Sequence, residues 1–235
     1  MFPVLVQDER VSREIKDTVK VAPRKRTSAL SEQVRQRLNE MIRNRDLIGG
    51  QVITEERLAE TRGVSRTPLR EALLRLEGEG MLQKNAGRSF MVRQVDFTEY
   101  MQSLKMRRII EPEAAALAAV RVPKAELTEM RQEIEALHNA QDDREHTRAH
   151  WNCDDKLHRL FGYHSGNQVM YGVIERLRVT TRLFEVTDIR QRVEADHAQH
   201  LEILDALDAE DADWARRAVD AHIGSLISYS LEQFT

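Results

Sequence analysis

The segment Gly63-Val64-Ser65-Arg66-Thr67-Pro68-Leu69-Arg70-Glu71-Ala72-Leu73 reads as a tight turn running into a short helix with two unlike faces. Ser65 suits the N-cap, because its hydroxyl can accept from free amides of the first turn. Pro68 falls in that first turn, where its missing N–H costs nothing. Leu69, Ala72, Leu73 and Leu76 recur at helical spacing and make one apolar stripe. Arg66 and Arg70, four apart, share another face. A helix docked on its apolar side, with two arginines near its N-terminal end, suits a DNA major groove. Its amides and dipole favour phosphate, and arginine forks match guanine edges.

The neighbouring sequence supports this reading. Residues 28–48 form an amphipathic helix with Leu30, Val34, Leu38, Met41 and Ile42 as its stripe, ended by Gly49-Gly50. A short extended piece, Gln51-Val52-Ile53, precedes a second helix capped by Thr54 and ending near Gly63. The third helix stops at Gly78-Glu79-Gly80. Two short strands follow, Met81–Lys84 and Ser89–Val92, joined by Asn85-Ala86-Gly87-Arg88. Three helices and a hairpin make a winged helix-turn-helix over residues 28–95. Residues 1–27 lack periodicity, end in a basic cluster, and read as a flexible tail.

From Phe97 onward the pattern is wholly helical. It predicts six helices over 97–121, 124–140, 144–165, 167–187, 190–209 and 211–232. Short breaks at Pro123, Gly166-Asn167 and Asp211 favour an antiparallel bundle over residues 96–235. The expected fold is therefore mainly α, with the only strands in the wing. Charge divides the same way. Residues 1–95 hold 19 Lys and Arg against 13 Asp and Glu, and the rest hold 17 against 26, within a total of −3. A basic front suits a polyanion, and an acidic back does not. No apolar run is long enough for a membrane span, for which about 18 residues are needed, and none at the N-terminus resembles a signal peptide. The one cysteine, Cys153, excludes an internal disulfide and fits a reducing cytoplasm; an inert thiol is expected.

All eight histidines lie in the acidic part. Asp154 and His158 are four apart on one helix, flanked by Trp151 and Phe161, so they point inward. His200 precedes Leu204 and Leu207 on an apolar stripe, and His222 lies between Val219 and Leu226 in the same way. One carboxylate and three imidazoles thus face one bundle interior from three helices. The residues alone leave two readings open: hydrogen-bonded core histidines, or a site for a divalent transition metal with positions to spare. His146 and His150 drift round the helix from Asp154 and read as solvated or supporting. His197, one turn before His200, is its nearest rival.

Residues 28–93 resemble the DNA-binding domain of the GntR family of bacterial transcription regulators, through Gly63–Leu73, Leu76-Glu77 and Gly80-Met81-Leu82. The resemblance implies that Ser65, Arg66, Thr67 and Arg70 meet DNA, with Gly87 and Arg88 at the wing tip near the minor groove. The fatty-acid-responsive member of that family has an arginine where this chain has Glu56. Residues 97–232 are similar to the all-helical FCD effector domain of the FadR subfamily, in its six-helix, VanR-type form. The matching pieces are Arg107-Arg-Ile-Ile-Glu111-Pro, Asp154-Asp-Lys-Leu-His158, Ser165-Gly-Asn167, His200–Leu207 and Ala221-His-Ile223. Leu157 replaces the usual aromatic before the second ligand. The resemblance implies that Asp154, His158, His200 and His222 hold one metal ion, with zinc, nickel or manganese the best candidates. It also implies that Arg107, or its neighbour Arg108, pairs with an effector carboxylate, with Asn167 beside the effector.

These readings converge on a ligand-responsive transcription regulator, most simply a repressor. A homodimer would bind palindromic double-stranded DNA and respond to a small organic acid. A metalloenzyme on a helical bundle is the alternative, but no general base, nucleophile motif or cofactor loop accompanies the ligands. A purely architectural DNA-binding protein is a third reading.

Overall fold

Val34, Leu38, Met41 and Ile42 are all buried, and they align because residues Thr27–Arg43 form the first helix, α1. The computed structural model describes residues 27–44, 46–60, 66–87, 89–140, 147–184 and 192–234. Expectations for the N-terminal tail, Ser65, Arg88 and His146 lie outside the described residues. The helix α1 ends earlier than Gly49-Gly50: the Leu47 amide reaches back to the Met41 carbonyl, which tucks Leu47 into the core. Gly50 then turns the chain at a φ of 84°.

The rest of this unit contains β1 (Val52–Thr54), α2 (Glu55–Glu60), α3 (Arg66–Gly78), β2 (Leu82–Lys84) and β3 (Ser89–Val92). Pro68, Leu69, Ala72, Leu73 and Leu76 are the buried residues of α3, the stripe expected from the sequence, and α3 packs against α1. The extended piece before α2 joins the sheet, which the sequence does not indicate. The strand β1 pairs antiparallel with β3, Ile53 opposite Phe90, and β3 also pairs with β2, Gln83 opposite Met91. The sheet order is β1-β3-β2. Thr54 accordingly ends a strand, and α2 starts at Glu55. The wing turn places Gly87 at a φ of 69°, exposed, with Ser89 Oγ donating to the Ala86 carbonyl.

The chain divides into two compact units, the second beginning at Asp96. It contains six helices among the described residues: α4 (Phe97–Ala118), α5 (Lys124–Asn139), α6 (Arg148–His164), α7 (Gln168–Phe184), α8 (Val193–Asp208) and α9 (Ala212–Phe234). Short polar side chains set several starts. Asp96 accepts from the Glu99 amide, Asn167 from Met170 and Asp211 from Trp214. His150 serves α6 by closing a capping box with Thr147. Pro112 sits inside α4, where it removes the bond to the carbonyl of Arg108 without ending the helix.

The helix α4 packs most extensively along α9, then against α7 and α6, while α5 packs against α8 and α6. Leu157, Phe161, Ile174, Ile203, Leu204, Val219 and Ile223 fill the space between them. Inward faces of α4, α6, α8 and α9 therefore look into one interior. No described helix is long and apolar enough to cross a membrane.

Candidate metal centre and nucleic-acid interface

In the first unit, burial of the α3 stripe leaves Arg66, Thr67 and Arg70 exposed on the opposite side. Arg66 shares a concavity with Ala86 and Ser89 of the wing base and with Thr54, Glu55 and Glu56. The N-terminal end of α3 and the wing thus line one recess. Glu55, nearly buried, stands 3.8 Å from Arg70 Nε, too far for a tight hydrogen bond but close enough to orient that side chain. Glu56 is exposed in the recess, which puts a carboxylate among the cations of this face.

In the second unit the helix α6 presents Asp154 and His158 on one face, and α8 and α9 add His200 and His222. One ligand atom from each lies within 4.8 Å of all the others. Asp154 Oδ1 is 3.4 Å from His158 Nε2, 3.3 Å from His200 Nε2 and 4.0 Å from His222 Nε2. His158 Nε2 and His222 Nε2 are 3.3 Å apart. Donors bound about 2.0–2.2 Å from one ion stand roughly 3–4 Å from one another, so these spacings fit. The three rings are buried, and His200 Nε2 has no hydrogen-bond partner despite its closeness to the carboxylate. A buried orphan nitrogen is costly unless something meets it, and a cation facing Asp154 would. Imidazole and carboxylate together suit zinc, nickel or manganese.

Around the four, further side chains fix the geometry. Asp154 Oδ2 accepts from Arg178 Nη2 at 2.6 Å, and the same nitrogen donates to Asp155 Oδ1. Burial alone would raise the Asp154 pKa, but Arg178 and the histidines outweigh it and hold the carboxyl well below its usual range. His158 Nδ1 is 2.5 Å from Glu111 Oε2, and His222 Nδ1 is 3.0 Å from Gln199 Oε1. Glu111 follows the same logic as Asp154: burial raises it, while Arg107 and His158 lower it further, so it stays ionised. Burial, then repulsion from His200 and His158, pushes the His222 pKa well down, leaving the ring neutral as ligation requires.

Arg107 is the inward member of its pair. It is 2 % exposed and donates to both Glu111 oxygens and to Thr181 Oγ1. Arg108 lies at the surface, paired with Asp220. Asn167 is exposed, and its carboxamide oxygen is used by the α7 cap. His197 faces away from the four, stacked on His138 with ring centroids 3.8 Å apart. Sequence reading missed Glu111, Arg178 and Gln199. Glu111 was available as the i+4 partner of Arg107. Arg178 shares a helix face with Ile174 and Thr181, which marks it as inward but does not name its partner Asp154. Gln199 carries no sequence signal of its own.

A winged helix-turn-helix followed in one chain by a helical domain with an inward Asp/His cluster defines a class of regulator in which a sensing domain accompanies a DNA-reading one. Residues 30–92 match the family described as bacterial regulatory proteins, gntR family, and residues 102–225 match the FCD domain. The chain belongs to the GntR family, with an FCD domain as its second part. It is 30% identical over 144 residues to the HTH-type transcriptional regulator YdhC of Bacillus subtilis, an alignment covering 60% of this chain and 62% of that one. It is 33% identical over 132 residues to the HTH-type transcriptional regulator McbR of Escherichia coli, covering 56% and 58%. The chain thus spans about three fifths of the length of these relatives. The solved structure of E. coli McbR/YncC has the same fold, with a TM-score of 0.72 at 24% identity, covering 88% of this chain and 99% of that one. A GntR regulator from Rhodococcus sp. RHA1 gives 0.69 at 18%, covering 89% and 99%. The family is one of regulatory proteins, which sets the enzyme reading aside.

Proposed function

We propose that the protein is a metal-containing, ligand-responsive regulator that binds a palindromic operator as a homodimer in the cytoplasm. The observation that carries the sensing half is the convergence of Asp154, His158, His200 and His222 around the orphan His200 nitrogen. The DNA-reading half rests on α3, whose buried stripe leaves Arg66, Thr67 and Arg70 outward beside the wing. Ser65, Gly87 and Arg88 complete the set of residues proposed to contact DNA. Two copies are needed because one recognition helix reads only a half-site.

A bound ion would cross-link α6, α8 and α9 and offer remaining positions to a small organic acid. Arg107 is already engaged by Glu111 and Thr181, whereas Asn167, whose oxygen serves the α7 cap, keeps its Nδ2 donors for such an acid. The acid acts by binding more tightly to one conformation of the bundle than another, whichever direction that drives DNA affinity; release of repression is the simpler outcome.

Selection of a binding site from random duplexes, followed by anisotropy titrations, tests this function. Affinity should fall steeply with salt as phosphate contacts release counterions. Arg66→Ala should lose about 1–3 kcal/mol on the selected site and relax its specificity. Sedimentation should find two chains per site. A flat salt response, unchanged specificity for Arg66→Ala, or one chain per site would contradict the proposal.

A further inference from the structure

The two buried rings His158 and His222 face each other through Nε2, 3.3 Å apart. What makes those nitrogens donors to a metal is decided at the far side of each ring. Behind His222, the Gln199 carboxamide oxygen lies 3.0 Å from Nδ1. That oxygen also receives Arg192 Nη2 at 3.4 Å, and a guanidinium only donates, so the amide is oriented with its oxygen toward both. His222 Nδ1 must therefore carry the proton. Behind His158, the Glu111 carboxylate lies 2.5 Å from Nδ1 and accepts twice from Arg107, so it too is an acceptor only. His158 Nδ1 must likewise carry a proton. Both Nε2 lone pairs then point at the same place, with Asp154 Oδ1 3.4 Å from one and 4.0 Å from the other. Two lone pairs so placed repel, and a cation between them turns the repulsion into two bonds.

We infer that Glu111 and Gln199 are positioning residues that hold the protons of His158 and His222 on Nδ1, and that Arg107 acts on the metal centre by fixing Glu111 rather than by meeting an effector carboxylate. The hydrogen bond at one ring nitrogen sets which nitrogen is free to ligate. Arg107 is suited to this part, because its fork grips both oxygens of Glu111 while Thr181 holds Nη1. Gln199 is held in turn by Arg192, which Asp196 and Ser225 anchor. Two arginines thus brace two ligands from outside the centre.

The inference rests on the metal reading above, and one experiment separates the two. The whole 235-residue chain is labelled with 15N-histidine, and long-range proton–nitrogen spectra are recorded metal-free and with zinc alone. In both states the proton of His158 and of His222 is expected on Nδ1, with zinc shifting Nε2. Gln199→Met should release the His222 proton to a mixture of positions in the metal-free protein and weaken zinc binding 10–100-fold. Gln199→Glu, which restores an acceptor, should recover the Nδ1 proton and most of the affinity. Arg107→Lys should weaken zinc binding while leaving the His222 spectrum unchanged. A proton on Nε2 of either ring in the metal-free wild type, or a Gln199→Met protein unchanged in both readouts, overturns the inference. Equal disturbance of both rings in Arg107→Lys overturns the part assigned to Arg107. Wild-type protein that takes up no zinc overturns the metal reading, and this inference with it, and is recognised by uptake rather than by tautomer.

Discussion

Cys153 neighbours Asp154 in sequence yet plays no part in the centre. It is 3 % exposed in the core among Ile134, Leu157 and their neighbours. Burial, reinforced by Glu133 and Asp154, pushes its thiol pKa up to about 12. A group whose folded pKa is raised keeps its stabilising contribution below the unfolded value and loses it as pH rises toward the folded one. For Cys153 that window runs from the ordinary thiol range upward to about 12, so neutral pH lies safely below it. The thiolate is the reactive form, so native protein at pH 8 should resist iodoacetamide, while denatured protein should label promptly. Fast labelling of native protein would contradict this burial. At this scale the sequence was informative where spacing decides direction. Asp154, His158, His200 and His222 do share one interior, as their positions on apolar stripes required. It was silent where a contact joins distant segments, as with Gln199 behind His222 or Arg178 behind Asp154.

The helices α1, α6 and α7 were legible because they are amphipathic, and the others chiefly because they are well punctuated. Asp96, Pro123, Asn167 and Asp211 mark starts that the structure retains within a residue or two. The strand β1 was legible only as an extended piece. Three residues carry no alternation, and its pairing with β3 depends on a partner some forty positions away. Glycines show the packing between elements. Gly162 of α6 lies where a Cβ would come 3.2 Å from the Tyr171 ring of α7, whereas Gly172 of α7 has open space around it. Gly172→Ala should therefore stabilise the protein by about 0.5–1 kcal/mol, since helical glycine costs backbone entropy. Gly162→Val should destabilise it by about 1–3 kcal/mol through overpacking. Denaturant midpoints for the two variants check both signs, and a stabilised Gly162→Val would show that α6 and α7 are less closely packed than described.

For the molecule as a whole, the division of charge in the sequence coincides with the division into two compact units. The basic unit carries exposed arginines beside a wing, and the acidic one gathers three of its eight histidines around a carboxylate. Ligands from three helices mean that an ion should stabilise the bundle by mass action, and because a proton competes with the ion for the same ring nitrogens, binding should weaken with acid. The most direct test is calorimetric titration of the metal-free 235-residue chain with zinc at neutral pH, run beside His200→Ala and His197→Ala. The expected result is one ion per chain for the wild type, loss of that binding in His200→Ala, and near wild-type binding in His197→Ala, whose ring stacks on His138 instead. Wild-type protein that binds no ion, or His200→Ala that binds as tightly as wild type, would contradict the account.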